Sequence, residues 1–229
     1  MTASRPDSSL PDSIRAVIFD LDGVLVDTEI WWDEIRIDFA RELGTQWTES
    51  DRAAIMGSNT RQWRARMRQR LHLKMSEERI EQAVVGGILD RYATEGAPAI
   101  DGAVETIRRL SGEYSLAVAS SAPPKVIEAA LDGLGVRDAI EVVASSDEVE
   151  SGKPAPDVFL LTARRLGIDP AACLVVEDSL NGVKAARAAG MPVVLIPNSS
   201  IPPAPGAREA ADYTLAGLRD VDPRRLSAR

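Results

Sequence analysis

Asp20 and Asp22 stand two residues apart where the apolar run AVIF (16–19) ends, and Gly23 follows them. Two carboxylates at that spacing can divide a substitution reaction between a nucleophile and a general acid–base. The glycine lets the backbone turn sharply behind them. Three further polar clusters follow later apolar runs: Ser120-Ser121 after LAVA, Ser151-Gly152-Lys153-Pro154 beyond EVVA, and Glu177-Asp178-Ser179 after LVV. Acids, hydroxyls and a lysine gathered in one place suit an anionic electrophile such as a phosphate ester. That ester repels an anionic nucleophile. A Mg²⁺ ion held by Asp20, Asp178 and Glu177, with Asp22 beside them, would offset the repulsion through the hard oxygen ligands this ion prefers. Asp20 would attack phosphorus and form an aspartyl-phosphate. Asp22 would protonate the leaving alcohol and then activate water, a contribution of roughly 10²–10⁴-fold. Lys153 would neutralise the phosphoryl oxygens, and Ser120 and Ser121 would donate hydrogen bonds to them.

Such a set works only if one scaffold delivers all four clusters to one place. The runs AVIF, LAVA (116–119), EVVA (141–144), LVV (174–176) and PVVLI (192–196) read as buried strands. Helical patterns separate most of them: VETIRRL, KVIEAALDGLG, VFLLTARRLG and GVKAARAAG. This alternation predicts an α/β fold, a Rossmann-like doubly wound core with a mostly parallel sheet. Ligands bind beyond the carboxyl ends of such strands, where the polar clusters fall. Gly135, Gly167 and Gly190 suit left-handed helix C-caps. Residues 29–95 break the rhythm with WWDEIRIDFARELG, an acidic turn, TRQWRARMRQRL and SEERIEQAVVGGILDRY, which predict an inserted α-helical cap. The expected division is a flexible leader over 1–13, a core from 14–28 and 96–229, and a cap over 29–95. TEGAPAIDG (94–102) is the candidate hinge, and a last short strand is expected near 213–215.

The segments DLDGVLVDTE, VASS, SGKPAPDVF and VVEDSLNGVKAA, in that order over residues 15–220, resemble the haloacid dehalogenase superfamily. More narrowly, they resemble its branch of sugar-phosphate phosphatases and β-phosphoglucomutase-like proteins with a helical cap after the first strand. The resemblance implies a Rossmann-like core, a mobile cap, Mg²⁺ and Asp20 as nucleophile. Haloalkanoate dehalogenases expel halide, need no proton and lack the second aspartate, so Asp22 argues against that chemistry. Phosphonoacetaldehyde hydrolases also lack it and use a cap lysine, whereas Lys74, alone of its type in the insert, sits in a turn-like sequence. The mutases carry a histidine on the first cap helix where this chain has Trp31-Trp32. A phosphatase is therefore expected, with a phosphomutase as the alternative and a catalytically silent binding protein behind both. Ala122-Pro123-Pro124 after VASS depart from the pattern and weaken Ser121 relative to Ser120. In the cap, Gly57 and Arg61 of IMGSNTR and Glu29 at the cap entry are candidate substrate contacts.

The formal net charge of −8 argues against nucleic acid as a partner. No stretch approaches the ~18 apolar residues of a membrane span. The single cysteine, Cys173, heads an apolar run as a core residue; it permits no internal disulfide and fits a cytoplasmic location. The expected partner is a small phosphorylated metabolite, with no membrane and no nucleic acid, and the expected assembly is a monomer or, alternatively, a dimer. Arg61, Arg64, Arg66, Arg68 and Arg70 read as a solvated helix face, with Arg61 or Arg64 as the ones able to meet a phosphate or sugar acid. Trp31, Trp32, Trp47 and Trp63 read mainly as cap core, with one able to stack on a sugar ring.

Overall fold

The computed structural model describes residues 14–226, so the leader expected over 1–13 lies outside the described residues. Its centre is a six-stranded parallel sheet: β1 (Ala16–Phe19), β2 (Ser115–Ser120), β3 (Val142–Ser145), β4 (Cys173–Glu177), β5 (Val193–Leu195) and β6 (Tyr213–Thr214). The spatial order is β3-β2-β1-β4-β5-β6. The chain therefore winds outward from β1 in one direction and then in the other. The crevice at the carboxyl ends of β1, β2 and β4 is the switch point where such sheets bind ligands. Every expected strand is present within a residue or two of its expected limits.

Near-continuous apolar strands form because both faces of the sheet are covered. Val17, Phe19, Leu116 and Val118 face one side with Ile107 of α5 (Ala103–Leu110) and Ile127 of α6 (Pro124–Gly133). Ala16, Ile18, Ala117 and Val175 face the other with Phe159 of α7 (Asp157–Leu166) and Val183 of α8 (Leu180–Ala188). Gly167 ends α7 in the left-handed conformation, as its sequence position predicts.

Between β1 and α5 the described chain is helical: α1 (Glu29–Glu42), α2 (Glu49–Ile55), α3 (Thr60–Arg70) and α4 (Glu77–Glu95). The segment expected as an acidic turn is the helix α2. Thr48 accepts from the Asp51 amide while the Asp51 carboxylate accepts from the Thr48 amide, a reciprocal cap that stabilises a short helix start. The two connections to the sheet run side by side, with the Asp27 amide bonded to the Pro98 carbonyl and the Ile100 amide to the Leu25 carbonyl. The loop from Met56 to Asn59 and the start of α3 dock on the sheet's carboxyl edge. Ser121 donates to the Gly57 carbonyl (3.1 Å), Asn181 to the Met56 carbonyl (3.0 Å), and the Thr60 amide to Asp147 (2.7 Å). No helix among the described residues is long and apolar enough to cross a membrane.

Candidate active site

Asp20 follows β1 and is 8% exposed; its amide bonds to the Val176 carbonyl of β4. Glu177 ends β4 and Asp178 follows it, both buried. One oxygen from each of Asp20, Glu177 and Asp178 lies within 4.8 Å of the others. Lys153 reaches into the group from the loop after β3. Its ammonium donates to Asp20 Oδ1 (2.5 Å), Glu177 Oε1 (2.6 Å) and the Ala119 carbonyl (3.1 Å), which uses its three protons. Burial alone would lower the lysine's pKa, but Asp20 and Glu177 outweigh it and hold the ammonium above its ordinary value. The second Glu177 oxygen accepts from the Asp178 and Ser179 amides and the Ser179 hydroxyl.

Two glycines make room for these acids. A Cβ on Gly182 would lie 1.7 Å from Glu177 Oε1, and one on Gly23 would lie 2.2 Å from Asp178 Oδ2. Gly23 also has φ +83°, the left-handed region that favours glycine. The Asp178 carboxylate accepts no hydrogen bond among the described residues. Burial, then Glu177, Glu29 and Asp20, push its pKa well up. Burial likewise pushes Asp20 up to about 8 against Lys153. Three buried carboxylates against a single ammonium leave an excess of negative charge, and the hard oxygen donors match a divalent cation such as Mg²⁺.

Asp22 stands apart from that cluster. Its Oδ1 accepts from the Thr28 hydroxyl (2.5 Å) and the Trp32 indole N–H (2.9 Å), so its side chain does not join the three-carboxylate group as expected from sequence. Thr28 precedes α1 but leaves the helix end uncapped because its hydroxyl is committed to Asp22. Burial raises the Asp22 pKa, while these two donors and Arg36 oppose the rise. An acid biased toward its neutral form can donate a proton.

Ser120 is buried; its hydroxyl accepts from the Ala122 amide (3.0 Å), leaving its own proton to donate. Ser121 borders the cleft, with its hydroxyl given to Gly57. The cleft opens to solvent, has a cavity volume of about 120 Å³, and is bordered by Asp22, Glu29, Trp32, Arg36, Gly57 and Trp63, among others. Glu29 is pushed up to about 8 by burial and then by Asp22, Asp20 and Glu177, and its Oε2 is buried without a partner. Arg61 does not enter this cleft. The Thr60–Asp147 bond fixes the start of α3 so that Arg61 donates to the Glu150 carbonyl (2.9 Å) and borders a separate hollow. Arg64 pairs with Glu77, Glu78 and Glu81, and Arg70 with Asp51, so these arginines are spent on neighbouring acids. The arginines that do reach the cleft are Arg36 and Arg52, and the sequence reading missed both. Glu29, Trp32 and Arg36 recur at i, i+3 and i+7 along α1, a one-face spacing that was readable. Trp63 arrives from α3 and was not.

A parallel sheet that gathers an acid cluster, an acid–base aspartate and a buried lysine at its switch point defines a class of hydrolase. The haloacid dehalogenase-like hydrolase family matches residues 14–190, and the chain belongs to it. Hexitol phosphatase B of Escherichia coli (strain K12) is 31% identical over 218 residues, covering 92% of this chain and 93% of that protein. Fructose-1-phosphate phosphatase YqaB of the same strain is 35% identical over 187 residues, covering 78% and 94%. The crystal structure of CbbY from Rhodobacter sphaeroides in complex with phosphate superposes with a TM-score of 0.77 at 25% identity, covering 90% of this chain and 96% of that one.

Proposed function

We propose that this chain is a Mg²⁺-dependent phosphatase of small phosphorylated metabolites, sugar phosphates foremost, acting through an aspartyl-phosphate on Asp20. The observation that carries the reading is the excess of buried carboxylate around one ammonium at the switch point. Relatives named as sugar-phosphate phosphatases support it. Asp20, Glu177 and Asp178 would hold the metal, which when bound supplies charge neutralisation at the transferring phosphate. Asp20 Oδ1 is fixed by Lys153, leaving Oδ2 to attack phosphorus. Lys153 and the Ser120 hydroxyl stabilise the phosphoryl oxygens. Asp22, held by Thr28 and Trp32, gives its proton to the leaving alcohol and then takes one from water.

Residues 14–28 and 96–226 form the core in this account, and 29–95 form the cap, swinging on the paired connections at 25–27 and 98–100. The Gly57 loop closes over Ser121 and excludes bulk water from the cleft. Trp32 stands where the mutases carry histidine and already donates to Asp22, which favours water as the final acceptor. The test is phosphate release from a panel of phosphorylated metabolites with Mg²⁺ and with EDTA. Release that needs Mg²⁺ supports the reading; full activity in chelator, or no release across the panel, refutes it.

A further inference from the structure

Arg36 is the unexplained charge in the cleft. It projects from α1 one turn beyond Trp32, and its guanidinium carbon lies 5.0 Å from the Trp32 ring centre and 5.5 Å from that of Trp63. Two indole rings therefore lie against the cation, an arrangement that orients the planar guanidinium by its faces and leaves its edge N–H groups free. Those N–H groups make no hydrogen bond among the described residues. Nε is buried without a hydrogen bond, and among the described residues no carboxylate comes within ion-pair distance. Asp33, the acid whose charge acts most on Arg36, pairs with Arg52 (3.3 Å), which also borders the cleft, and Asp22 acts on Arg36 more weakly from across the Trp32 indole. Burial brings the Arg36 pKa down only to about 10, so it stays charged at neutral pH.

A half-buried guanidinium whose Nε is shut off from water and unpaired carries a cost unless something completes it. Packing alone would call for an apolar residue between two tryptophans. A stacked guanidinium with a vacant edge instead suits in-plane, two-point recognition of a carboxylate or phosphate. The position of the acceptor follows from Trp32, whose N–H touches Asp22 while its face carries Arg36. The anion site thus lies one indole ring beyond the acid that protonates the leaving oxygen, a span of a few carbons.

We propose that Arg36, clamped by Trp32 and Trp63, is a second anion-binding subsite, and that the substrate is a phosphorylated metabolite bearing a second anionic group at the end remote from the transferred phosphate. This deepens the phosphatase reading and rests on it. The subsite is absent from the five-arginine run and is built on the first helix of the insert.

The experiment measures binding by calorimetry, with Mg²⁺, to the Asp20→Asn protein with and without Arg36→Met. The ligands form a matched six-carbon set: glucitol 6-phosphate, 6-phosphogluconate and glucitol 1,6-bisphosphate, with glycerol 3-phosphate and 3-phosphoglycerate as the shorter pair. At least one doubly anionic ligand should bind about 10- to 100-fold more tightly than its singly anionic match, and Arg36→Met should erase that ratio. Whether the carboxylate or the bisphosphate shows the larger ratio identifies the second group. Equal binding across both sets, or a ratio that survives Arg36→Met, overturns the proposal. If Arg36→Met does not fold, Arg36→Lys keeps the charge but loses the stacked fork, and it should lower the ratio; an undiminished ratio there also overturns it. Phosphate release from an aryl phosphate by the unaltered enzyme is scored separately. No release from it or from any phosphorylated metabolite of the panel sinks the phosphatase reading, while the affinity ratios still decide the subsite.

Discussion

Gly182→Ala sets two opposed effects against each other inside the site. Gly182 lies in the first turn of α8, where alanine in place of glycine favours the helix by up to about 1 kcal/mol. The new methyl would sit 1.8 Å from Glu177 Cδ, so the carboxylate must retreat by about 2 Å to reach ordinary contact. Glu177 is not free to do so. It holds Lys153 at 2.6 Å and accepts from two amides and a hydroxyl at 2.9–3.1 Å. Hydrogen bonds to charged groups contribute about 1.5–3 kcal/mol each, and breaking a buried ion pair costs about 3–5 kcal/mol. The loss outweighs the helix gain, for a net destabilisation of roughly 2–4 kcal/mol. For a chain of this size that is a fall in Tm of roughly 5–15 °C by calorimetry. Turnover should drop about 100-fold, because Lys153 and the acid cluster lose their registration. Adding Glu177→Ala makes room for the methyl, so the double variant should lose less stability than the sum of the singles. An unchanged or raised Tm with intact turnover would refute the claim that Glu177 is pinned against α8.

Three further outcomes are expected. Trp32→Phe keeps the ring but removes the donor to Asp22; the charged carboxylate is disfavoured, its pKa rises, and the alkaline limb of the kcat/KM pH profile moves up by about 1 unit with kcat reduced about 10-fold. Saturating Mg²⁺ at about 100 times Kd should stabilise the protein by about 2.7 kcal/mol, read as a higher Tm, and Asp178→Asn should abolish that shift. Glu148 has its pKa lowered by Arg165, helped by the Ser145 amide and opposed by burial. Its stabilisation is therefore present above the unfolded value of about 4.3 and lost as pH falls through the lower folded value. Glu148→Gln should cost less than about 1 kcal/mol at pH 7, since the pair is partly exposed, and should flatten the acid side of a urea-midpoint-against-pH curve.

The core was legible because each buried strand is a short apolar run and each run ends in residues of unusual chemistry. Asp20, Lys153 and Glu177-Asp178 were found that way, and the structure brings them together at β1 and β4. What lay beyond reach depended on packing between segments distant in sequence. The clamp on Arg36 needs Trp63 from α3, and Arg61 turns away because Asp147, from the loop after β3, fixes the start of its helix. α2 was missed because its acids were read as a turn rather than as a reciprocal cap. The Asp22–Trp32 contact falls between the two cases: the spacing on α1 was visible, but the direction of the indole N–H was not.

The central claim is that Asp20 carries the phosphoryl group. With an aryl phosphate, whose phenolate leaves without a proton from Asp22, Asp22→Asn should form that species and hydrolyse it slowly, because the base that activates water is gone. The measurement is acid quenching of this variant with Mg²⁺ and the aryl phosphate, followed by mass spectrometry of the peptide that contains Asp20. The account predicts one phosphoryl group on Asp20, absent when Asp20→Asn is added. Phosphate release by the unaltered enzyme, with no phosphoryl adduct on Asp20 in the Asp22→Asn protein at any quench time, would contradict it.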